Sequence, residues 1–440
     1  MGSTPGDPPR ILIVGGGHVG MYTALGLQSK LPEGAAVVTV VDPQPQMTYQ
    51  PFLPEAAAGS IEPRHVVVPL RRVLRCCHIV AGRLTGVDHA HRVATIENCA
   101  GEIEQHSYDV LVMAPGSIAR TLPIPGLAEH GIAFKTIGEA IYLRNHVLSR
   151  LEAADATIEV SLRRKLLSFV VIGGGYAGIE VLGELEDMAR YACRYYQSIE
   201  PSDMRWVLVE ATGRIMPEVS PRMGRYTAKR LAERGIEIFL NTRVRTMENG
   251  HVVLDEGTEL DADTIVWTAG VRPNPVLQHT DLPLDDRKRL RCTAALQVVG
   301  CPDVFSAGDC AAVPDLSSAD PNATCSPSAQ HAVRQARVLA DNVIAYLCGQ
   351  PLRHYRHRYA GSVASLGRYR GVAEVYGIRL RGIVAWLMHR TYHLSRMPTF
   401  NRKVRIVADW TTALLFRREV VSLGQINDPK ADFARANAAS

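Results

Sequence analysis

The sequence predicts an α/β chain with two parallel sheets, followed by a C-terminal region of different composition. Two stretches read as an apolar strand, a glycine-rich turn and a helix: residues 10–20 (RILIVGGGHVG) and residues 166–178. Each is followed by a second apolar strand that ends in an acidic residue, Asp42 or Glu210. Because strand, crossover helix and parallel strand form the unit of a doubly wound sheet, the repetition predicts two Rossmann-like domains.

The first glycine loop fits the pattern GxGxxG, with Gly15, Gly17 and Gly20 at the glycine positions. These glycines allow a tight turn, a close approach of the backbone to a pyrophosphate, and close packing of helix on strand. Asp42 follows Gly20 by 22 residues, near the position where an acidic side chain binds a ribose hydroxyl. A structural turn without ligand is the alternative, but the flanking strand and helix favour a dinucleotide site.

The second glycine loop repeats the pattern with Gly173, Gly175 and Gly178. Glu210 follows 32 residues after Gly178 and is suited to accept hydrogen bonds from both ribose hydroxyls. A carboxylate there repels a 2′-phosphate, which favours NADH over NADPH. Arg214 lies four residues later and is able to accommodate such a phosphate, so the preference stays open at this point.

Three further residues are candidates for chemistry, each with a structural alternative. Asp309, in the turn after a late apolar strand, is suited to bind hydroxyls of a flavin nucleotide or to cap a helix. We expect Glu180 in the first turn of the second loop's helix, where it complements the helix dipole or relays a proton. His331, near the start of a later helix, is more often a packed residue than a proton carrier.

Composition limits the class of protein. Apolar residues make up 46% of the 440 residues, and no apolar run reaches the 18 residues that a membrane-spanning helix requires. The N-terminal residues lack the apolar core of a secretory signal, so we expect a cytoplasmic chain. The nine cysteines are scattered without CxxC spacing and predict neither a disulfide framework nor a metal site. We expect the adjacent Cys76 and Cys77 to be buried thiols.

The C-terminal tail is basic and aromatic. From Pro351 to Ser440 there are 16 Lys and Arg against 5 Asp and Glu, while the rest of the chain is net acidic. Such a tail is able to bind nucleic acid or an anionic surface. No nucleic-acid-binding motif accompanies the charge, so we expect no nucleic-acid partner.

With both loops, a Thr-Ala-Gly turn ending at Gly270 and the Ala-Gly-Asp turn ending at Asp309, the chain resembles flavoprotein reductases with two dinucleotide-binding domains. Within them, YQPFLPEAAAG (49–59), GGGYAGIEVLGEL (173–185) and SAQHAVRQA (328–336) are similar to type II NADH:quinone oxidoreductases. The resemblance covers about residues 10–425. It implies non-covalent FAD, NADH as donor, a membrane quinone (menaquinone or ubiquinone) as acceptor, and no proton pumping.

The resemblance also implies which residues bind the two cofactors. We expect the FAD site to contain Gly15, Gly17, His18, Val19, Gly20, Asp42, Ala114, Gly116, Gly308, Asp309, Ala329 and Gln330. We expect the NADH site to contain Gly173, Gly175, Tyr176, Ala177, Gly178, Glu180, Glu210 and Gly270.

Catalytic roles are expected for Glu180, Gln330 and Arg334. Gln330 occupies the first glutamine of the family's AQxAxQ quinone motif, whereas Arg334 stands at the second glutamine and Gln335 follows it. The departure therefore lies where the resemblance implies a contact with the quinone.

The predicted domains are a first FAD-binding part (1–125), an inserted NADH-binding domain (126–270), a second FAD-binding part (271–348) and a membrane-anchoring region (349–440). In the last, Ile383–Met388 with Trp386, flanked by basic residues including His389 and Arg390, suits an interfacial helix. We therefore expect a monotopic protein on the cytoplasmic face of the membrane. A solvated basic face or a dimer surface is the alternative, and a homodimer stays open.

Two rival functions share this fold or its cofactors. Sulfide:quinone oxidoreductases keep a membrane tail and use separated cysteines, for which Cys193, Cys325 and Cys348 are the candidates, but they do not use NADH. A redox-sensing binding protein would form a long-lived complex with NADH and turn over slowly. Disulfide reductases are not expected, because residues 43–60 contain no cysteine pair.

Overall fold

The structure is a computed structural model that describes residues 7–357 and 361–422. The chain divides into two compact units, each assembled from separate segments. Within the described residues, the first unit comprises residues 7–48, 67–118 and 271–357, and the second comprises residues 49–66, 119–270 and 361–422.

The strands alternate with helices along most of the chain. They are β1 (Arg10–Val14), β2 (Val37–Asp42), β3 (Gln46–Thr48), β4 (Val67–Pro69), β5 (His78–Asp88), β6 (Val93–Asn98), β7 (Ile103–Ser107), β8 (Val110–Met113), β9 (Ser117–Ala119), β10 (Gly131–Ala133), β11 (Ser168–Ile172), β12 (Arg205–Glu210), β13 (Ile236–Leu240), β14 (Val244–Thr246), β15 (His251–Leu254), β16 (Glu259–Asp261), β17 (Thr264–Trp267), β18 (Val271–Pro273), β19 (Leu290–Arg291), β20 (Gln297–Val298), β21 (Cys301–Ser306), β22 (Ala311–Ala312), β23 (Gly361–Ser365), β24 (Gly371–Val375) and β25 (Ile378–Arg381).

The α-helices are α1 (His18–Lys30), α2 (Leu53–Ala57), α3 (Leu70–Val73), α4 (Leu127–His130), α5 (Ile137–Ala156), α6 (Val160–Leu166), α7 (Tyr176–Ala192), α8 (Pro221–Ala232), α9 (Ala329–Leu347), α10 (Gly382–Arg396) and α11 (Phe400–Leu415). Short 3₁₀ turns include residues Gly308–Cys310. Within the residues that the structure describes, no helix is long and apolar enough to cross a membrane.

The first unit is built on an eight-stranded sheet in the order β20-β21-β8-β1-β2-β5-β6-β7. Strand β1 lies between β2 and β8 and is parallel to both. Its residues Ile11–Val14 are all buried, as expected for a parallel strand covered on both faces. The antiparallel strands β6 and β7 extend this sheet at one edge. The carboxyl end of β1 therefore places the first glycine loop at the centre of the sheet.

The second unit contains a parallel five-stranded sheet in the order β10-β17-β11-β12-β13. Strand β11 pairs with β12 and β17, so the second glycine loop also leaves the sheet from a central strand. Helix α5 begins with the capping box that its sequence predicts, in which Thr136 and Glu139 exchange hydrogen bonds with each other's backbone N–H groups. The predicted α/β fold with two Rossmann-like domains is confirmed, although the first sheet also carries antiparallel strands at its edges.

The C-terminal part of the second unit contains an element that the sequence did not predict, the antiparallel sheet β23-β24-β25. Helix α10 follows it and contains the segment Ile383–Met388, for which the sequence predicts an interfacial helix. Trp386, His389 and Arg390 are buried, with 4%, 1% and 8% of their surface exposed, so they do not form an interfacial face. The exposed apolar residues of α10 are instead Ile383, Val384 and Leu387.

The prediction for the adjacent cysteines was wrong. Cys76 is exposed and Cys77 is half-buried, because both follow the short helix α3 in a surface turn. All nine cysteines fall within the described residues and each carries a free thiol there.

Candidate functional site

The first nucleotide loop (residues 15–20) has a geometry that only glycine permits at two positions. Gly15 has a φ of +99°, and a Cβ there would lie 2.2 Å from the carbonyl oxygen of Ala114. A Cβ on Gly20 would lie 1.7 Å from the carbonyl oxygen of Gly15. Next to Gly17, by contrast, a Cβ would meet no atom within 4 Å. The loop is thus closely packed at Gly15 and Gly20. It is open at Gly17, where a pyrophosphate approaches the helix N-terminus.

Asp42, at the end of β2, holds this loop in place. Its Oδ2 accepts a hydrogen bond from the backbone N–H of Gly16 (2.6 Å), and its Oδ1 accepts one from Gln44 (2.7 Å). Burial raises the pKa of Asp42, although both hydrogen bonds oppose that shift. Each carboxylate oxygen accepts more than one hydrogen bond. Asp42 therefore has capacity left for a ribose hydroxyl.

Helix α1 contributes a neutral side chain next to the loop. Burial lowers the pKa of His18, the first residue of the helix, to about 4, so its imidazole is uncharged at neutral pH. The next residue, Val19, is buried, and a Cβ on Gly308 would lie 2.8 Å from Val19 Cγ2. Gly308 has a φ of +76°, and this close approach brings its turn against the start of α1.

The turn at Asp309 is fixed by two side chains of the first unit. Ser117 Oγ donates a hydrogen bond to Asp309 Oδ2 (2.5 Å), and the backbone N–H of Gly308 donates to Gln335 Oε1 (2.8 Å). Gln335 is fully buried in α9. In the sequence Gln335 stands only as the residue beyond Arg334, because nothing local indicates that it contacts the Gly308 turn. Gly116, in the turn after β8, has a φ of +67° and open space beside it.

The start of α9, at Ala329, brings the expected acceptor-side residues together. The Gln330 side-chain oxygen lies 3.1 Å from His357 Nε2, and Arg334 Nη1 donates to the backbone oxygen of Gln330 (3.0 Å). His331 is buried, and its Nδ1 lies 2.9 Å from the hydroxyl of Tyr355. Burial lowers the pKa of His331. His331 is thus a packed residue with a defined partner, and Arg334 braces the helix turn that carries Gln330.

The second nucleotide loop (residues 173–178) repeats the construction of the first. Gly173 has a φ of +111°, and a Cβ there would lie 2.7 Å from the backbone of Thr268. A Cβ on Gly178 would lie 1.9 Å from the carbonyl oxygen of Gly173, whereas next to Gly175 there is open space. Tyr176 and Ala177 then begin α7. Gly270, with a φ of +93°, follows β17 and also has open space beside it.

Glu210 occupies the position in the second unit that Asp42 occupies in the first. Its Oε2 accepts from the backbone N–H of Gly174 (2.6 Å), and its Oε1 accepts from the N–H and hydroxyl of Thr212 (both 2.8 Å). Arg214 donates to the carbonyl oxygen of Pro217. A donor of Arg214 is thus engaged within its own turn, and the anionic Glu210 closes the loop.

The expected position of Glu180 was wrong by one helical turn. Helix α7 begins at Tyr176, so Glu180 lies in its second turn and interacts with other segments. The carboxylate is 7% exposed, and its Oε1 accepts from the backbone N–H of Ser365 (3.1 Å) and lies 3.1 Å from His389 Nε2. Burial opposes protonation of His389, but Glu180, aided by two further carboxylates, raises its pKa.

Those two carboxylates, Glu184 and Glu55, extend the buried group. Ser365 Oγ donates to Glu184 Oε1 (2.8 Å), so Ser365 contacts both Glu180 and Glu184 of α7. Burial raises the pKa of Glu184 to about 7, and the charge of Glu55 adds to that shift. Glu55 Oε2 accepts from Arg390 Nη2 (2.7 Å) and from Trp410 Nε1 (2.9 Å). These residues form a buried polar network that is able to hold protons.

Sequence comparison places this arrangement in a known class. The family model described as pyridine nucleotide-disulphide oxidoreductase matches residues 9–336, and the model described as NDH2 C-terminal domain matches residues 359–419. The first match covers well over half of the chain. The chain therefore belongs to the pyridine nucleotide-disulphide oxidoreductases, in agreement with its two glycine loops.

Two similar proteins show to which family within this class the chain belongs. The type II NADH:quinone oxidoreductase of Staphylococcus epidermidis strain ATCC 12228 is 30% identical over 382 residues, which cover 86% of this chain and 92% of the relative. The type II NADH:quinone oxidoreductase Ndh of Mycobacterium tuberculosis is 28% identical over 430 residues, or 94% and 90% of the two chains. Within its class, the chain thus belongs to the type II NADH:quinone oxidoreductases.

A solved structure agrees with the fold. NDH2 from Plasmodium falciparum in complex with NADH is 18% identical and superposes with a TM-score of 0.86, covering 94% of this chain and 99% of that one. At this identity the likeness concerns the fold alone. Together, the comparisons confirm the predicted family and the predicted enzyme class, an oxidoreductase that uses FAD and NADH.

Proposed function

We propose that this protein oxidises NADH through FAD and reduces a membrane quinone without pumping protons. The observation that carries the proposal is the pair of nucleotide loops, each closed by a carboxylate on a loop N–H group, at Gly16 and Asp42 and again at Gly174 and Glu210. Two such loops provide for two dinucleotides.

The first unit fits FAD. The backbone is open at Gly17 and Gly116, and the neutral His18 adds no charge beside the helix N-terminus. We assign FAD binding to the residues that the resemblance implies, with Gln335 as an addition because it holds the Gly308 turn. When bound, FAD supplies a flavin that takes up a hydride from NADH and passes electrons to the acceptor.

The second unit fits NADH, with Glu210 as the ribose residue. The engaged Arg214 and the anionic Glu210 support NADH over NADPH, because a 2′-phosphate would be repelled at this position. Glu180 Oε1 and His389 Nε2 lie 3.1 Å apart as an ion pair. Since the reduction of a quinone takes up two protons, this pair is suited to a role in proton supply.

A quinone acceptor is supported by the names of the relatives. Besides the staphylococcal and mycobacterial enzymes, the demethylphylloquinone reductase NdbB of Synechocystis is 28% identical over 412 residues, which cover 92% of this chain and 96% of the relative. We assign the quinone contact to Gln330, with His357 and Arg334 bracing it.

We also propose that the C-terminal region associates with one membrane leaflet, on the cytoplasmic face. Support comes from exposed apolar side chains on α10 and α11, among them Leu387, Phe400 and Leu415, which are 50%, 81% and 75% exposed. We keep the domain boundaries proposed from the sequence. FAD binds to residues 1–125 and 271–348, NADH binds to residues 126–270, and residues 349–440 contact the membrane.

Sulfide as the donor is disfavoured by the environment of the cysteines. Burial raises the pKa of both Cys193 and Cys325 to about 11, so both are protonated thiols at neutral pH, whereas Cys348 is exposed. The thiolate is the reactive form of cysteine. A redox-sensing role would be revealed by stoichiometric flavin reduction without turnover.

The test is an acceptor and donor screen on the full-length protein, loaded with FAD and kept in detergent. NADH oxidation is followed at 340 nm with ubiquinone and menaquinone analogues, and sulfide replaces NADH in parallel reactions. The proposal expects many turnovers with NADH and a quinone, and none with sulfide. Flavin reduction by NADH without quinone-dependent turnover would contradict it.

A further inference from the structure

The second unit contains an arginine-rich cavity that has no role in the proposed chemistry. The cavity has a volume of about 250 Å³. It is bordered by α8 and the turn after it, by the turn between β23 and β24, and by the start of α10. Its lining includes Tyr226, Arg230, Glu233, Arg234, Arg370 and Gly382.

Two guanidinium groups converge on the Tyr226 ring at this cavity. The guanidinium carbon of Arg230 lies 5.1 Å from the ring centroid, and that of Arg381 lies 4.4 Å from it. Each cation–π contact is favourable, but the two like charges repel each other. Arg230 also pairs with Glu233 at 2.7 Å, in a contact where both side chains are nearly half exposed. An anion placed near both arginines would relieve the remaining repulsion.

Besides Arg230, the lining contains two arginines, and these share one carboxylate, whereas Arg381 directly precedes the lining residue Gly382. Arg234 Nη2 and Arg370 Nη1 each lie 3.0 Å from Asp187 Oδ1. Arg234 also pairs with Glu186, which in turn pairs with Arg190. Around the cavity, the arginines outnumber the carboxylates: they are Arg190, Arg230, Arg234, Arg370 and Arg381 against Glu186, Asp187 and Glu233. The cavity therefore has a positive potential.

The surroundings of the cavity match an anionic membrane surface. Helix α8 contains no acidic residue, and its side chains Arg222, Arg225 and Lys229 are exposed. Helix α10 starts at Gly382, at the border of the cavity, and its next two residues, Ile383 and Val384, are 53% and 54% exposed. A positive cavity next to exposed apolar side chains has the chemistry that binds a lipid phosphate while apolar groups enter the acyl layer.

We propose that this cavity binds the phosphate of an anionic phospholipid, with Ile383 and Val384 inserted beside it. The inference rests on the proposed membrane association and names the lipid class that this surface takes. A soluble phosphate compound would use the same arginines but would leave the two apolar side chains in water. The adjoining apolar residues are the reason to favour the lipid.

The experiment measures co-sedimentation of the FAD-loaded, full-length protein with vesicles of phosphatidylcholine alone or with added phosphatidylglycerol. Tyr226→Ala removes the wall on which the two guanidinium groups lie and leaves the net charge unchanged. We expect it to lower partitioning onto phosphatidylglycerol vesicles about tenfold, with little change on phosphatidylcholine. Unchanged binding by Tyr226→Ala would overturn the proposal.

A matched pair of double variants separates the cavity from general charge. Arg230→Gln/Arg381→Gln and Arg222→Gln/Arg225→Gln each remove two positive charges, and only the first pair adjoins the cavity. General attraction predicts the same loss for both, about fivefold for each charge. We expect the cavity pair to lose at least tenfold more than the control pair, and equal losses would refute the inference.

Two further measurements distinguish a lipid phosphate from a soluble phosphate, and a failure of this inference from a failure of the proposed function. Glycerol phosphate at millimolar concentration should not displace the protein from the vesicles, and full displacement would assign the cavity to a soluble ligand. Each variant should keep the flavin content and the rate with NADH and a water-soluble quinone. If the wild-type protein does not oxidise NADH with that quinone, the enzymatic proposal is wrong. If the wild-type protein binds neither kind of vesicle, both the membrane association and this inference are wrong.

Discussion

Glu210 offers a sharp test of the second nucleotide loop. In Glu210→Gln, one carboxylate oxygen becomes an amide donor that faces an N–H or hydroxyl donor, at Gly174 or Thr212. The variant also loses the charge-assisted bond expected to the ribose hydroxyls. Hydrogen bonds to charged groups contribute about 1.5–3 kcal/mol, so kcat/KM for NADH should fall by about ten- to a hundredfold.

The same change should affect NADPH differently. Removal of the negative charge ends the repulsion of a 2′-phosphate, so kcat/KM for NADPH should fall far less, or rise. The assay compares both donors at a fixed concentration of a water-soluble quinone. Glu237→Gln is the control, since Glu237 lies within the neighbouring strand β13 and pairs with Arg205. Equal losses with NADH and NADPH would refute a ribose role and indicate a disrupted loop.

Three further predictions concern the flavin site and the buried network. Gly20→Ala places a Cβ 1.7 Å from a loop carbonyl oxygen and should yield flavin-free protein, whereas Gly138→Ala, with 4.0 Å to its nearest neighbour, should retain flavin by absorbance at 450 nm. Gln335→Leu leaves the Gly308 N–H without its acceptor, which costs about 1–3 kcal/mol, and should lower both the Tm and flavin retention on gel filtration. The raised pKa of Glu184 means that the folded state binds its proton more tightly, so stability should fall as pH rises from about 4.5 to 7. Glu184→Gln should remove that part of the pH dependence of the urea midpoint, and an unchanged profile would contradict the assignment.

The sequence predicted both glycine loops because their requirements are local. A positive φ and a close backbone approach restrict a position to glycine, and Asp42 and Glu210 follow at the ends of short apolar strands. These features leave a pattern within about forty residues of chain. The fold class and the location of both nucleotide sites were therefore predicted from that pattern.

The environment of Glu180 left no such pattern. Its hydrogen-bond donor Ser365 is 185 residues away in the chain, within a sheet that the sequence analysis did not predict. Helix α10 shows the same limit, because its apolar and basic residues indicated an amphipathic helix without indicating which face is buried. Trp386 is buried against the Arg390 guanidinium (3.9 Å), which in turn pairs with Glu55. A buried ion pair between distant segments decides that orientation.

The most direct test of the central claim is steady-state oxidation of NADH by the FAD-loaded protein, at several concentrations of NADH and a short-chain quinone. The proposed two-cofactor mechanism predicts repeated turnovers that depend on both substrates, with NADH preferred over NADPH. Flavin reduction that stops after one equivalent of NADH, whichever quinone is present, would contradict it.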